Sequence, residues 1–99
     1  MSTLTATTEM NTTVDAIVSS LASRGITTTV EYNGPSAMVK DADGRYAMVS
    51  GAAWPYGATS VKFGHIPAGE HTSLNAADFN YDAKHLGHSA GVRLSAMGA

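Results

Sequence analysis

The chain has 99 residues, with 6 Lys+Arg against 8 Asp+Glu, a formal net charge of -2, and no Cys. That length fits one domain, and the missing Cys excludes a disulfide framework, a thiolate zinc site and a Cys nucleophile. Charged residues make up only 14%, against about 25% in a typical protein, which leaves no electrostatic basis for nucleic-acid binding and little self-repulsion to oppose association.

No apolar run approaches the roughly 20 residues of a membrane span. The opening MSTLTATTEMN lacks the basic and apolar regions of a secretory signal and the Arg of a transit peptide. A cytoplasmic setting is the expectation. Residues 1–11, small and polar, read as a flexible lead-in, with an edge strand over 3–8 as the alternative because Thr favours strands.

The first periodic element is TTVDAIVSSLASRG. Val14, Ile17, Val18 and Leu21 fall on one helical face. Thr12 serves as a cap and Asp15 suits the positive end. Arg24 lies in the last turn and Gly25 offers a left-handed stop. The spacing predicts a helix over 12–24. ITTTVEY then alternates as a strand, and Asn33-Gly34 reads as a two-residue hairpin turn. SAMVKDADGRYAMVSG reads as a second hairpin about Asp43-Gly44. Together these turns place Ile26, Val30, Tyr32, Ala37, Val39, Tyr46 and Met48 on one apolar face, against which the helix packs. Thr27, Thr29, Glu31, Met38, Lys40, Ala47 and Val49 fall on the other, with a Met38–Val49 apolar spot.

ATSVKFGH is a fourth strand, with Thr59, Val61 and Phe63 on one side and Ser60 and Lys62 on the other. HIPAGEHTS reads as a turn region. SLNAADFNYDAKHLGHSAG reads as a weaker helix capped by Ser73, with Phe79, Ala83, Leu86 and Ala90 as its core stripe. Gly87 costs about 1 kcal/mol against Ala in a helix, which predicts a stop near Leu86. Residues 92–99 are a short strand or frayed tail, so the domain is expected over 12–91. The expected fold class is α+β: an N-terminal helix on an antiparallel three- to four-stranded β-meander, followed by a C-terminal helix. This order resembles that of the double-stranded RNA-binding domain. That family grips phosphates with a basic cluster at the start of its second helix. Here that place carries Asp78 and Asp82 and no base until Lys84, so no nucleic-acid partner is expected.

Three stretches carry candidate chemistry. His85 and His88 are neighbours on a helix, and with Asp78 and Asp82 they form a candidate mixed metal set that His65 or His71 would close. The competing reading is a solvated helix face. GHSAG at 87–91 matches G-x-S-x-G in letters, but a nucleophile elbow needs a strand before it and a large sheet, and a helix pattern precedes it here. DADG at 41–44 echoes the start of a calcium loop without its remaining ligands, so it reads as a turn. The last stretch, AAWPYG, holds the only Trp. Trp54 and Tyr56 flank Pro55, a composition suited to a binding hot spot. The competing reading, with one ring inward and the other outward, is that Trp54 caps the core while Tyr56 is the more exposed.

The expectation is a small non-enzymatic interaction module with no cofactor. Its composition suggests a phage or mobile-element accessory protein that binds and blocks a host protein. Its partner-binding residues would be Trp54, Pro55, Tyr56, Met38 and Val49, the partner a protein or a second copy in a homodimer. A small-molecule or metal-binding protein using His85, His88 and Asp78 is the alternative.

Overall fold

The computed structural model describes residues 2–34, 36–53, 58–75 and 82–97, and the side chains of 9–34, 36–50, 59–74 and 82–97. The elements are α1 (Ser2–Ala22), β1 (Thr28–Asn33), β2 (Ser36–Asp41), β3 (Arg45–Ala53), β4 (Ala58–His65), β5 (Glu70–Asn75) and α2 (Ala83–Ala96). The strands form one antiparallel sheet in the order β1-β2-β3-β4-β5. The α+β class and helix–meander–helix order are as the sequence predicts, with five strands rather than three or four.

One core joins both helices to one face of the sheet. Met10, Val14, Ile17 and Leu21 of α1 and Leu86, Ala90 and Leu94 of α2 pack with Ala37, Val39, Ala47, Val49, Val61, Phe63 and Leu74. Among the described residues nothing covers the other face of the sheet. No helix among them is long and apolar enough to cross a membrane.

Helix α1 begins at Ser2, ten residues before the expected cap at Thr12, so the lead-in over 1–11 is helical from Ser2 onward. Thr is a poor helix former, which hides this Thr-rich start from a propensity reading. Tertiary contacts hold it: Met10 is buried, continuing the Val14–Ile17–Leu21 stripe, and Glu9 accepts a 3.1 Å hydrogen bond from Thr59 Oγ1. The far end follows the sequence. Gly25 has φ +79°, its N–H bonds the Ala22 carbonyl, and the Ile26 N–H bonds the Leu21 carbonyl. That is a Schellman stop, which uses the left-handed conformation Gly adopts without strain.

The two hairpins depart from their predicted registers in different ways. In the first, Val30 pairs with Val39 rather than Ala37. The even shift leaves Val30, Ala37 and Val39 on one face. In the second, Val39 pairs with Ala47 and Ala37 with Val49, while Met38 pairs with Met48 and Lys40 with Tyr46. This odd shift turns β3 over. Tyr46 and Met48, expected in the core, lie on the open face; Ala47 and Val49, expected outside, are fully buried.

The cause lies in the connection. It has three residues, Ala42, Asp43 and Gly44, not two. Asp41 Oδ1 accepts the N–H groups of Asp43 (3.0 Å) and Arg45 (2.8 Å), and Gly44 has φ +93°. A type I turn followed by a left-handed Gly is the usual three-residue hairpin loop.

Strand β5 replaces the expected turn, and Ser73 lies within it rather than capping a helix. It is an edge strand in which, among the described side chains, only Leu74 reaches the core, so its alternation carries almost no hydrophobic signal. Helix α2 starts later, at an Asp82 cap whose carboxylate accepts the His85 N–H at 2.7 Å, and runs through Gly87 to Ala96. Residues 92–96 are therefore helix, not a strand or frayed tail. Gly87 and Gly91 face α1. A Cβ on Gly87 would meet the Thr13 carbonyl oxygen and lie 2.7 Å from the Ala16 Cβ; one on Gly91 would lie 2.6 Å from the Ser20 Cβ. The missing side chains let the helices approach closely enough to bury Leu86, Ala90 and Leu94, which offsets the propensity penalty.

Candidate functional site

The register of β3 composes the open face. Side chains alternate along each strand, so three rows cross the sheet. One runs Thr29, Lys40, Tyr46, Gly64, His71. The central row runs Glu31, Met38, Met48, Lys62, Ser73. The third runs Asn33, Ser36, Ser50, Ser60. Met38, Met48 and Tyr46 are half-buried and adjacent. Tyr46 lies across Gly64, where an added Cβ would sit 3.0 Å from its hydroxyl oxygen. With Lys62, His71, Thr72 and Ser73 it borders a shallow groove of about 360 Å³. Lys40 and Glu31 form a loose 3.8 Å ion pair with side chains 51% and 73% exposed.

Of the expected partner-binding residues, Met38 takes its place on this face. Val49 does not: it is wholly buried against α1 and α2, because the odd register turns it inward. Trp54, Pro55 and Tyr56 lie outside the described residues; Ala53 and Ala58 on either side of that segment pair with each other. Tyr46 and Met48 are surface residues that a two-residue Asp43-Gly44 turn assigns to the core. The signal that would have found them is Asp41. An Asp whose side chain can accept the N–H two residues on favours a longer turn over a bare Asp-Gly hairpin.

A second concave surface lies between the helices, bordered by Ala16, Ser19, Ser20, Asp82, Lys84, His85 and His88, with a volume of about 510 Å³. His85 and His88 come together here as the sequence predicts, both exposed. Asp78 lies outside the described residues. His88 Nδ1 is 3.1 Å from Ser20 Oγ. Among the described residues no three His, Cys, Asp or Glu side chains are placed to hold a metal ion. No described carboxylate orients the His88 ring, so the Ser20–His88 contact lacks the third member of a nucleophilic triad. Ser89 sits inside α2, half-buried between the two glycines, where G-x-S-x-G is a helix-packing pattern rather than an elbow.

The third cluster closes one end of the molecule. Arg45 bonds Asp41 Oδ2 at 3.0 Å, Asp43 Oδ2 at 2.9 Å and, through Nε, the Met97 carbonyl at 3.0 Å. It thereby ties the β2–β3 loop to the end of α2. Burial pushes the Asp41 carboxyl up, but the Arg45 and Asp43 N–H groups and the Arg45 guanidinium outweigh it and hold it below the usual carboxylate value. The buried His65 ring accepts the Ala68 N–H at Nδ1 (3.2 Å), which places the proton of the neutral ring on Nε2. Nε2 has no hydrogen-bond partner and lies 3.6 Å from Asp43 Oδ2. The Ile66 N–H bonds the Gly44 carbonyl, and a Cβ on Gly44 would lie 2.5 Å from Pro67 Cδ, so the two hairpin loops pack directly. This cluster is an architectural latch.

Among the described residues, fold and surface together define a two-layer α+β domain with one helix-covered and one open sheet face. Comparison with protein-family models, curated proteins and solved structures finds no match to this chain.

Proposed function

We propose that the protein is a non-enzymatic protein-interaction module whose contact surface is the open face of the sheet. The observation that carries this reading is the central row, in which Met38 and Met48 sit side by side between Glu31 and Lys62, with Tyr46 adjoining. An apolar centre with a polar, charged rim is the anatomy of an interface. Met adapts its shape to a partner, and Tyr buries a large area for little lost entropy. The chain's low charge leaves such a surface with little electrostatic cost of approach. Trp54 and Tyr56 extend the reading, since they join the strands that carry Met48 and Lys62.

The test is affinity capture with the wild type and a folded Met38→Lys/Met48→Lys variant in parallel. A protein retained stoichiometrically by the wild type and lost with the variant supports the reading. Retention that ignores both substitutions sinks it.

A further inference from the structure

We propose that the occupant of the open face is a second copy of this chain, packed face to face about a two-fold axis that runs along the strands between β2 and β3. This rests on reading that face as the contact surface and adds its partner and geometry.

The charge pattern selects the axis. An axis along the strands, midway between β2 and β3, exchanges β1 with β4 and β2 with β3 across the interface. Met38 of one copy then meets Met48 of the other. Glu31 on β1 meets Lys62 on β4, and by symmetry Lys62 meets Glu31. In the neighbouring row, Lys40 meets the ring of Tyr46, a favourable cation–π approach. An axis across the strands through the same row would instead set Glu31 against Glu31 and Lys62 against Lys62, which is repulsive. The row is therefore self-complementary in one orientation and self-repelling in the other.

Packed sheets cross at about 30°. At about 7 Å from the axis, the distance of β1 and β4 for strands about 4.8 Å apart, that rotation displaces facing positions by about 4 Å. Glu and Lys side chains span this. Glu31 can engage, because its in-chain pair with Lys40 is long and exposed, and such pairs contribute about 0–1 kcal/mol. Four strands of about six residues present a patch about 19 Å by about 20 Å. That is about 380 Å² per copy, below the roughly 800 Å² per partner of a stable specific interface, and it implies weak, exchanging association.

The experiment is sedimentation equilibrium of the purified chain, up to about 1 mM where weak pairs populate, with two charge reversals, Glu31→Lys and Lys62→Glu. Both sites lie on the open face, and circular dichroism checks that each variant folds. The wild type is expected to move from monomer towards dimer mass with concentration. Each reversal alone sets like charges together at both symmetric contacts and weakens association about tenfold or more. An equimolar mixture of the two variants makes both contacts attractive again, so it recovers wild-type association. The Glu31→Lys variant also places a like charge beside its own Lys40, but it does so both alone and in the mixture, so that contact cannot account for recovery.

A wild type that stays monomeric, single reversals that associate as well as wild type, or a mixture no better than its parts would each overturn the inference. If the wild type is monomeric while the Met38→Lys/Met48→Lys variant loses a captured protein, the second copy fails as occupant and the interaction reading stands. If capture also ignores that variant, both fail.

Discussion

Asp41 is the side chain on which the most geometry depends. Its carboxylate is 4% exposed and receives two backbone N–H groups and one guanidinium N–H. Charge-assisted bonds of this kind are roughly twice as strong as neutral ones. Replacing it by Asn preserves shape but removes the charge, and is expected to destabilise the fold by about 1–2 kcal/mol at neutral pH. The pH dependence follows from the lowered carboxyl pKa in the folded protein. The stabilisation is fully present above the ordinary carboxylate value and disappears as pH falls through the lower folded-state value. Urea melts of wild type and Asp41→Asn at pH 7 and at pH 3 and below should therefore differ clearly at first and converge in acid. A gap that persists unchanged in acid would mean that charge is not what Asp41 supplies.

The contact between α1 and α2 reverses the ordinary sign of a glycine substitution. Gly-to-Ala in an exposed helix gains about 1 kcal/mol. At Gly91 the new methyl would lie 2.6 Å from the Ser20 Cβ, and overpacking a close contact costs about 1–3 kcal/mol. Gly91→Ala is expected to lower the melting temperature although it raises helix propensity. A stabilised variant would show that the helices do not pack this closely. Thr13 belongs to the same seam. Its hydroxyl lies 2.8 Å from the Glu9 carbonyl and 3.1 Å from the Ala83 carbonyl, so one proton is shared between its own helix and its neighbour. Thr13, Gly87, Gly91 and Ser20 together show that the two helices run in the same direction, with register advancing along both.

At the scale of the whole molecule, a two-layer fold with both described helices on one side leaves, among the described residues, a sheet face for water or a partner. Antiparallel sheets tolerate water on one face. What distinguishes this one is two adjacent methionines where polar residues would suffice. If a second copy covers them, dissociation is linked to unfolding, and apparent stability rises with protein concentration. The thermal midpoint of the wild type should climb between about 10 μM and about 1 mM, while that of Lys62→Glu should stay flat. Concentration-independent midpoints for both would argue that the folded chain gains nothing from its own kind.

Local pattern alone determined the α1 stripe over Val14–Leu21 and its Gly25 stop, the bounds and facing of β4, and the α+β order, because helical and strand periodicity are written in neighbouring residues. The tertiary structure decided the rest. The face shown by Tyr46 and Met48 depends on the parity of one loop, which Asp41 and Arg45 set through side-chain bonds that no periodicity records. The edge strand β5 exists because β4 offers it a ladder, not because its own polar residues call for one. Helix α2 continues through Gly87 and Gly91 because a second helix lies against them. In each case the deciding partner lies outside the pattern of neighbouring residues, so the open face, and the interface proposed on it, became legible only once the chain was folded.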